Sequence, residues 1–187
     1  PFELLVATVL SAQCTDARVN MVTPELFRQF GTPEKMAHAP VESLEKLIHS
    51  TGFYHNKAKN LKAAALVLVQ EHGSRVPSDL EALVKLPGVG RKTAHVVLGN
   101  AFQIASGVVV DTHVMRISQR LGLVKKGKTN SADLSATEIE KKLNNIVPRE
   151  HWIMFSHWLI RLGRSVCPAR RPQCQKCILR DQCPSAI

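Results

Sequence analysis

Apolar residues recur at three- and four-residue spacing along almost the whole chain, which predicts a protein built of helices. Pro1 suits a first helical position, and Phe2 to Ala12 is strongly apolar. The polar break Ser11-Ala12-Gln13-Cys14-Thr15-Asp16 interrupts the pattern. Thr15 or Asp16 can cap a second helix running to about Phe30, where Gly31 stops it. Thr32-Pro33 opens a short helix, and Pro40 opens another that ends before Gly52. Phe53 to Lys57 reads as a turn. A long helix from about Lys57 to His72 follows, with alanine and leucine on its core face and Gly73 as its stop. Beyond Leu121, Gly122 and the run Lys125 to Ser131 form an exposed basic loop. Ser135 with Glu138 has the form of a capping box, opening a helix to about Val147. Pro148 divides that helix from the last one, Arg149 to Gly163. Only Val108 to Val110 hints at strand, and three residues cannot build a sheet. The fold class is all α.

One stretch departs from plain periodicity: Leu86-Pro87-Gly88-Val89-Gly90-Arg91-Lys92-Thr93-Ala94. A short amphipathic helix, Asp79 to Lys85, precedes it, with Ser78-Asp79-Leu80-Glu81 as its capping box. Pro87 ends that helix, because the residue before a proline is pushed out of the helical region. Gly88 and Gly90 carry no Cβ, so the backbone of the turn can lie close to a ligand. A second helix starts at about Arg91, with unpaired N–H groups and a positive dipole end that can hold a phosphate. Two helices around a Gly-x-Gly turn are the pattern of a helix-hairpin-helix, which grips a nucleic-acid backbone without reading its sequence. An ordinary tight helix–helix turn demands less than this residue order.

Lys92 is out of place there, since a cation is unfavourable in the first turn of a helix. That position, with partial desolvation, would favour the neutral amine, the form that acts as a nucleophile and makes Schiff bases. A lysine that only contacts phosphate is the simpler role. Asp111 changes the balance. It follows the apolar run 108–110 and begins a helix from Thr112 to Leu121. As an N-cap it stays ionised, which suits it to stabilise positive charge at a sugar carbon.

Charge narrows the partner. The 187 residues carry a net charge of +10 with a pI near 9.7, so a polyanion is expected, and nucleic acid is the usual one. The excess is uneven: from Arg161 onward there are six basic residues and one acid. No segment approaches the ~20 apolar residues a membrane span needs, and no signal peptide is visible.

Four of the five cysteines cluster as Cys167-x6-Cys174-x2-Cys177-x5-Cys183. Arginine, proline and glutamine fill the gaps, too little apolar matter for the segment to fold unaided, so a metal centre would supply the cohesion. Disulfides fit poorly in a basic helical chain with no secretory mark. Structural zinc sites bring their ligands as two close pairs, whereas one close pair and two longer loops fit four thiolates around an iron–sulfur cubane somewhat better. Both metals stay open on spacing alone. Arg170 and Arg171 lie in the loop between Cys167 and Cys174, where a fixed backbone would make them a phosphate clamp. Cys14 stands apart as a free thiol.

Together these features resemble the endonuclease III family of DNA glycosylases. The resemblance rests on residues 86–94, on Val110-Asp111-Thr112-His113, and on the cysteine pattern. Leu10-Ser11-Ala12-Gln13 with Thr15-Asp16, Gly52 with Tyr54 and Lys57-Ala58, and His157-Trp158-Leu159-Ile160 add to it. It spans nearly the whole chain. It implies two helical domains with a DNA-binding groove between them. One is a six-helix barrel-like domain over 15–114, with the helix-hairpin-helix at 79–101. The other joins 1–14 to 115–187 and carries a [4Fe-4S] cluster held by Cys167, Cys174, Cys177 and Cys183. It further implies a monomeric, cytoplasmic, nucleoid-associated bacterial enzyme. That enzyme excises oxidised pyrimidines such as thymine glycol from double-stranded DNA and then nicks the strand at the abasic site. Lys92 falls on the nucleophile and Asp111 on the catalytic aspartate. Gln13 falls on the residue that fills the gap left by the flipped nucleotide, and Phe53 on a second wedge, where the family often has leucine. Gly88, Gly90 and Arg91, with Arg170 and Arg171, would hold the DNA backbone. Two departures stand out: a longer, basic loop from Val124 to Ala136, and no helical stretch before Pro1.

Two other functions share parts of this pattern. An adenine-specific mismatch glycosylase has the hairpin and the cluster but hydrolyses with water and lacks the lysine. A non-catalytic helix-hairpin-helix binding module would need neither Asp111 at its spacing nor the cluster.

Overall fold

The computed structural model describes residues 1–124 and 134–187. The basic run at 125–131 and most of the loop around it lie outside the described residues. The chain divides into two compact units, Pro1–Ile104 and Ala105–Ile187.

The first unit holds seven helices: α1 (Phe2–Leu10), α2 (Asp16–Phe30), α3 (Pro33–His38), α4 (Val41–Ile48), α5 (Tyr54–Glu71), α6 (Leu80–Lys85) and α7 (Arg91–Phe102). Helix α5 is its axis. Ala58, Leu61, Ala65 and Leu68 fall on one face at helical spacing and are all buried, with α3, α4 and α1 packed against them. Side-chain caps set the starts. Thr15 accepts the Arg18 amide at the head of α2, and Thr32 accepts the Lys35 amide at the head of α3.

The second unit holds α8 (Thr112–Arg120), α9 (Ala136–Ile146) and α10 (Trp152–Ser165), then an irregular tail with two 3-10 turns, Cys174–Lys176 and Arg180–Gln182. Its core is Val108, Val114, Ile117, Ile139, Leu143 and Leu159, among others. Helices α8 and α10 meet at Gly163, where a Cβ would lie 2.6 Å from His113 Nδ1 and 2.8 Å from Ile117 Cδ1. A larger residue there would have to displace those side chains.

Helix α1 packs on α2, α5 and α7 of its own unit. Several helix boundaries differ from expectation, each for a local reason. The turn expected over 53–57 is a single residue. Phe53 alone is left-handed, and α5 begins at Tyr54. Asp79, not Ser78, caps α6, its Oδ2 accepting the Ala82 amide at 2.8 Å. The last helix starts at Trp152 after a 3-10 turn, Arg149–His151, and runs to Ser165. No strand occurs among the described residues. Residues 108–110 join no helix or strand, and the Val108 amide donates to Asn144 Oδ1 at 2.9 Å. The Ser135–Glu138 capping box forms with both reciprocal bonds.

Candidate active site

The hairpin is built as its residue order demands. Leu86 is buried and extended ahead of Pro87. The Val89 amide donates to Leu86 O at 3.0 Å and closes the turn, with Val89 itself buried. Gly88 sits at φ +77°, and a Cβ there would lie 2.9 Å from Asn60 Cβ, so conformation and packing both require glycine. Gly90 is different. It is the N-cap of α7 at φ −87° and ψ 171°, with no atom within 4 Å of the place a Cβ would occupy. It offers no side-chain cap to the first turn of α7. The start of α7 is therefore an electropositive helix end facing open space.

Lys92 stands in that first turn, exposed. The helix position expected for it holds, while the partial desolvation does not. Arg91 beside it is exposed as well.

Lys92, Thr93 and Val96 form one wall of a cavity of about 670 Å³. Helix α1, the turn Ser11 to Gln13 and the start of α2 form the rest. The cavity thus brings Gln13 and Lys92 together within the first unit, and its size suits a small organic group such as a nucleotide. Gln13 is exposed and left-handed at φ 53°. Phe53 does not line the cavity. It is 65% exposed and left-handed at φ 48°, at the N-cap of α5 behind Gly52 at φ 70°. A left-handed non-glycine residue costs of order 1–3 kcal/mol, and an exposed phenylalanine recovers none of that by packing.

In the second unit Asp111 is the N-cap of α8. Its Oδ1 accepts the amides of His113 at 2.9 Å and Val114 at 2.8 Å. Both bonds fall on one oxygen, and among the described residues Oδ2 accepts none. The aspartate is partly exposed.

The four clustered cysteines, with Arg120, Ile117 and Leu162, line one further cavity of that unit, and none forms a disulfide. Among the described residues no three His, Cys, Asp or Glu side chains are gathered as they would be around a single metal ion. The thiols wall a space instead of meeting at a point. Arg120 serves this loop directly. Its Nη1 donates to Cys167 Sγ at 3.1 Å and to Pro168 O at 2.9 Å, and its Nη2 donates to Ala169 O at 2.7 Å. One turn earlier, Arg116 donates to the carbonyls of Gly163 and Cys167. Four cysteine thiols around a common space, with a guanidinium against one of them, are a donor set that fits an anionic thiolate-ligated cluster. Arg170 and Arg171 are exposed on the stretch that Arg120 fixes.

Two residues were not anticipated. Arg120 was legible as an arginine one turn after Arg116 on one face of α8. Lys57 was not. It is 6% exposed, and its Nζ donates to Leu10 O at 2.8 Å and Thr51 O at 2.9 Å. Burial pushes its ammonium below the ordinary lysine range, against a smaller opposing pull from Cys14.

An all-α chain with a Gly-x-Gly hairpin, a lysine at the helix start it delivers and a four-cysteine loop defines a helix-hairpin-helix DNA-repair protein. Residues 6–149 match the HhH-GPD superfamily of base excision DNA repair proteins, and the chain belongs to that family. It is 50% identical over 186 residues to endonuclease III of Synechocystis sp., covering 100% of this chain and 82% of the relative. It superposes on a non-covalent endonuclease III–DNA complex with a TM-score of 0.89 and 46% identity, covering 99% of this chain and 83% of that one. A trapped endonuclease III–DNA covalent intermediate gives the same TM-score and identity, over 99% of this chain and 84% of that one.

Proposed function

We propose that this protein is a bifunctional DNA glycosylase and abasic-site lyase that excises oxidised pyrimidines, such as thymine glycol, from duplex DNA. One observation carries the reading: the hairpin places a lysine in the first turn of α7, on the wall of a nucleotide-sized cavity it shares with Gln13. An adenine-specific hydrolase of the same family has no use for that lysine.

The hairpin amides after Gly88 and Gly90, with Arg91, hold a phosphate, and Arg170 and Arg171 hold another stretch of backbone. The lesion nucleotide leaves the stack, at a cost smallest for a damaged base. Gln13 and Phe53 occupy the space it vacates. The Lys92 Nζ lone pair attacks C1′ as the glycosidic bond breaks, and the base departs with that bond's electron pair and takes up a proton. Asp111 stabilises the cationic sugar and relays the amine proton. The C1′–O4′ bond then opens, its electron pair and the relayed proton going to O4′, and the resulting Schiff base acidifies the 2′ hydrogen, so its removal expels the 3′ phosphate. The protein works as a monomer.

The test is incubation with a thymine-glycol duplex and borohydride, which reduces the imine to a stable adduct. A covalent protein–DNA species is expected. Base release without any adduct would move the protein to the hydrolytic branch.

Cys167, Cys174, Cys177 and Cys183 would hold a [4Fe-4S] cluster, which when bound would supply a rigid anchor for the loop carrying Arg170 and Arg171. Protein made anaerobically with iron present should be yellow-brown and contain about four irons. Stoichiometric zinc under those conditions would refute the cubane. Changing Arg170 and Arg171 to alanine should weaken binding to all duplexes alike. The slope of log affinity against log salt should fall by roughly one unit per lost contact. An unaltered slope would show that both arginines stay in solvent.

A further inference from the structure

We infer that Lys57 is a positioning residue that locks the two wedge-bearing turns, Ser11 to Cys14 and Gly52–Phe53, to one another. The inference rests on the glycosylase reading above and extends it to a residue with no part in the chemistry.

Lys57 is unusual in three ways. It is a lysine buried in the first turn of a helix, where both desolvation and the helix dipole oppose its charge. Among the described residues it has no carboxylate partner: the buried Nζ spends its donors on two backbone carbonyls. Those carbonyls belong to two separate segments, Leu10 at the end of α1 and Thr51 in the 3-10 turn His49–Thr51.

Their places in the chain give the arrangement its meaning. Leu10 lies three residues before Gln13, and Thr51 two residues before Phe53. Gln13 and Phe53 are both left-handed and exposed. Among the described residues the other left-handed non-glycine residues, Ser74 and Gln103, follow the ends of α5 and α7, as Gln13 follows the end of α1, and there that conformation is usual. Phe53 instead stands at a helix start, where an extended residue with a side-chain cap is usual. A strained conformer persists only if its surroundings over-determine it. A single ammonium bonded to the chain just upstream of Phe53 does so there, and its second bond ties that turn to the one that carries Gln13. An apolar side chain of the same length would fill the space but leave two buried carbonyls without donors.

The consequence is a specific division of labour. Lys57 lies outside the cavity that contains Lys92. Its loss should therefore spare covalent chemistry on a sugar already exposed, and impair the step in which wedges replace a stacked base.

The test compares Lys57→Met with wild type on two duplexes of one sequence, one holding thymine glycol and the other a preformed abasic site. Rates are measured in single turnover and divided by the borohydride-trappable fraction. Excision of thymine glycol should fall roughly 10- to 100-fold, the effect of two orphaned buried acceptors on a step they control. Nicking of the abasic duplex should fall no more than a few-fold. Lys57→Arg, which keeps a cationic donor, should recover part of the lost ratio. Equal losses on both duplexes, or an unchanged ratio, overturn the inference. Should Lys57→Met not fold, Lys57→Gln is read by the same ratio. If neither folds, the lysine serves the fold alone and the inference is also overturned. Failure of the wild type to form an adduct on either duplex would defeat the glycosylase reading itself. A normal wild type with an unskewed variant defeats only the role of Lys57.

Discussion

Lys92→Gln should abolish borohydride trapping and strand nicking, while the folded, metal-loaded protein still binds damaged duplex. The side chain is exposed at the head of α7, so the substitution removes no core contact and should leave the melting temperature nearly unchanged. Excision should fall by at least about a thousandfold, equivalent to about 4 kcal/mol of transition-state stabilisation. A lysine that merely neutralises phosphate would cost only a few-fold in binding and would leave the adduct intact. Lys92→Arg separates the two roles further. It keeps the charge near the DNA but supplies no neutral amine at working pH. Binding should therefore hold in that variant while trapping disappears. If Lys92→Gln still forms an adduct, the nucleophile is another group, and the lyase assignment must be rebuilt around it.

The second large effect is expected at Asp111. Its Oδ1 alone carries both capping bonds, so Asp111→Asn can keep the cap and lose only the charge. Turnover should drop roughly 10²–10⁴-fold, the usual cost of removing a group that moves protons or answers developing charge. Binding should hold or tighten, because one anion fewer faces the phosphates. Asp111→Ala should lose the same activity and, in addition, about 0.5–2 kcal/mol of stability with the cap. Thermal denaturation of the two variants side by side separates cap from chemistry. An asparagine variant with wild-type turnover would reduce Asp111 to a cap.

Much of this was legible because it is local. Thr15, Thr32, Asp111 and the Ser135–Glu138 pair cap the helices their spacing announces, since a cap is settled within four residues. The hairpin was legible because Pro87 and the two glycines leave the chain few other paths. The Ser78–Glu81 spacing misled at the next helix: it announces a cap at Ser78, but the Asp79 carboxylate took the Ala82 amide. The 53–57 segment was misread as well. Its polar residues look like a turn, yet one left-handed residue after Gly52 is enough to let α5 begin. Lys57 shows where sequence reading stops. Its partners lie 47 and 6 residues away, and nothing in its neighbourhood marks it as buried. The membership of the cysteine loop was plain from spacing. Arg120 shares a face of α8 with Arg116, a visible pattern, but its bond to that loop from 47 residues upstream needed coordinates.

The two glycines of the hairpin answer to different masters. Gly88 is held to its identity from within, by a left-handed backbone and by Asn60 pressed against it. At Gly90 the folded chain imposes nothing of the kind: the backbone is extended, and the space above it is empty. A methyl group added there would touch no other part of the folded chain, and its cost to the protein would be only the loss of a better helix cap. Within one four-residue turn the chain thus carries a glycine fixed by its own architecture and, two positions on, one that leaves room for a second molecule.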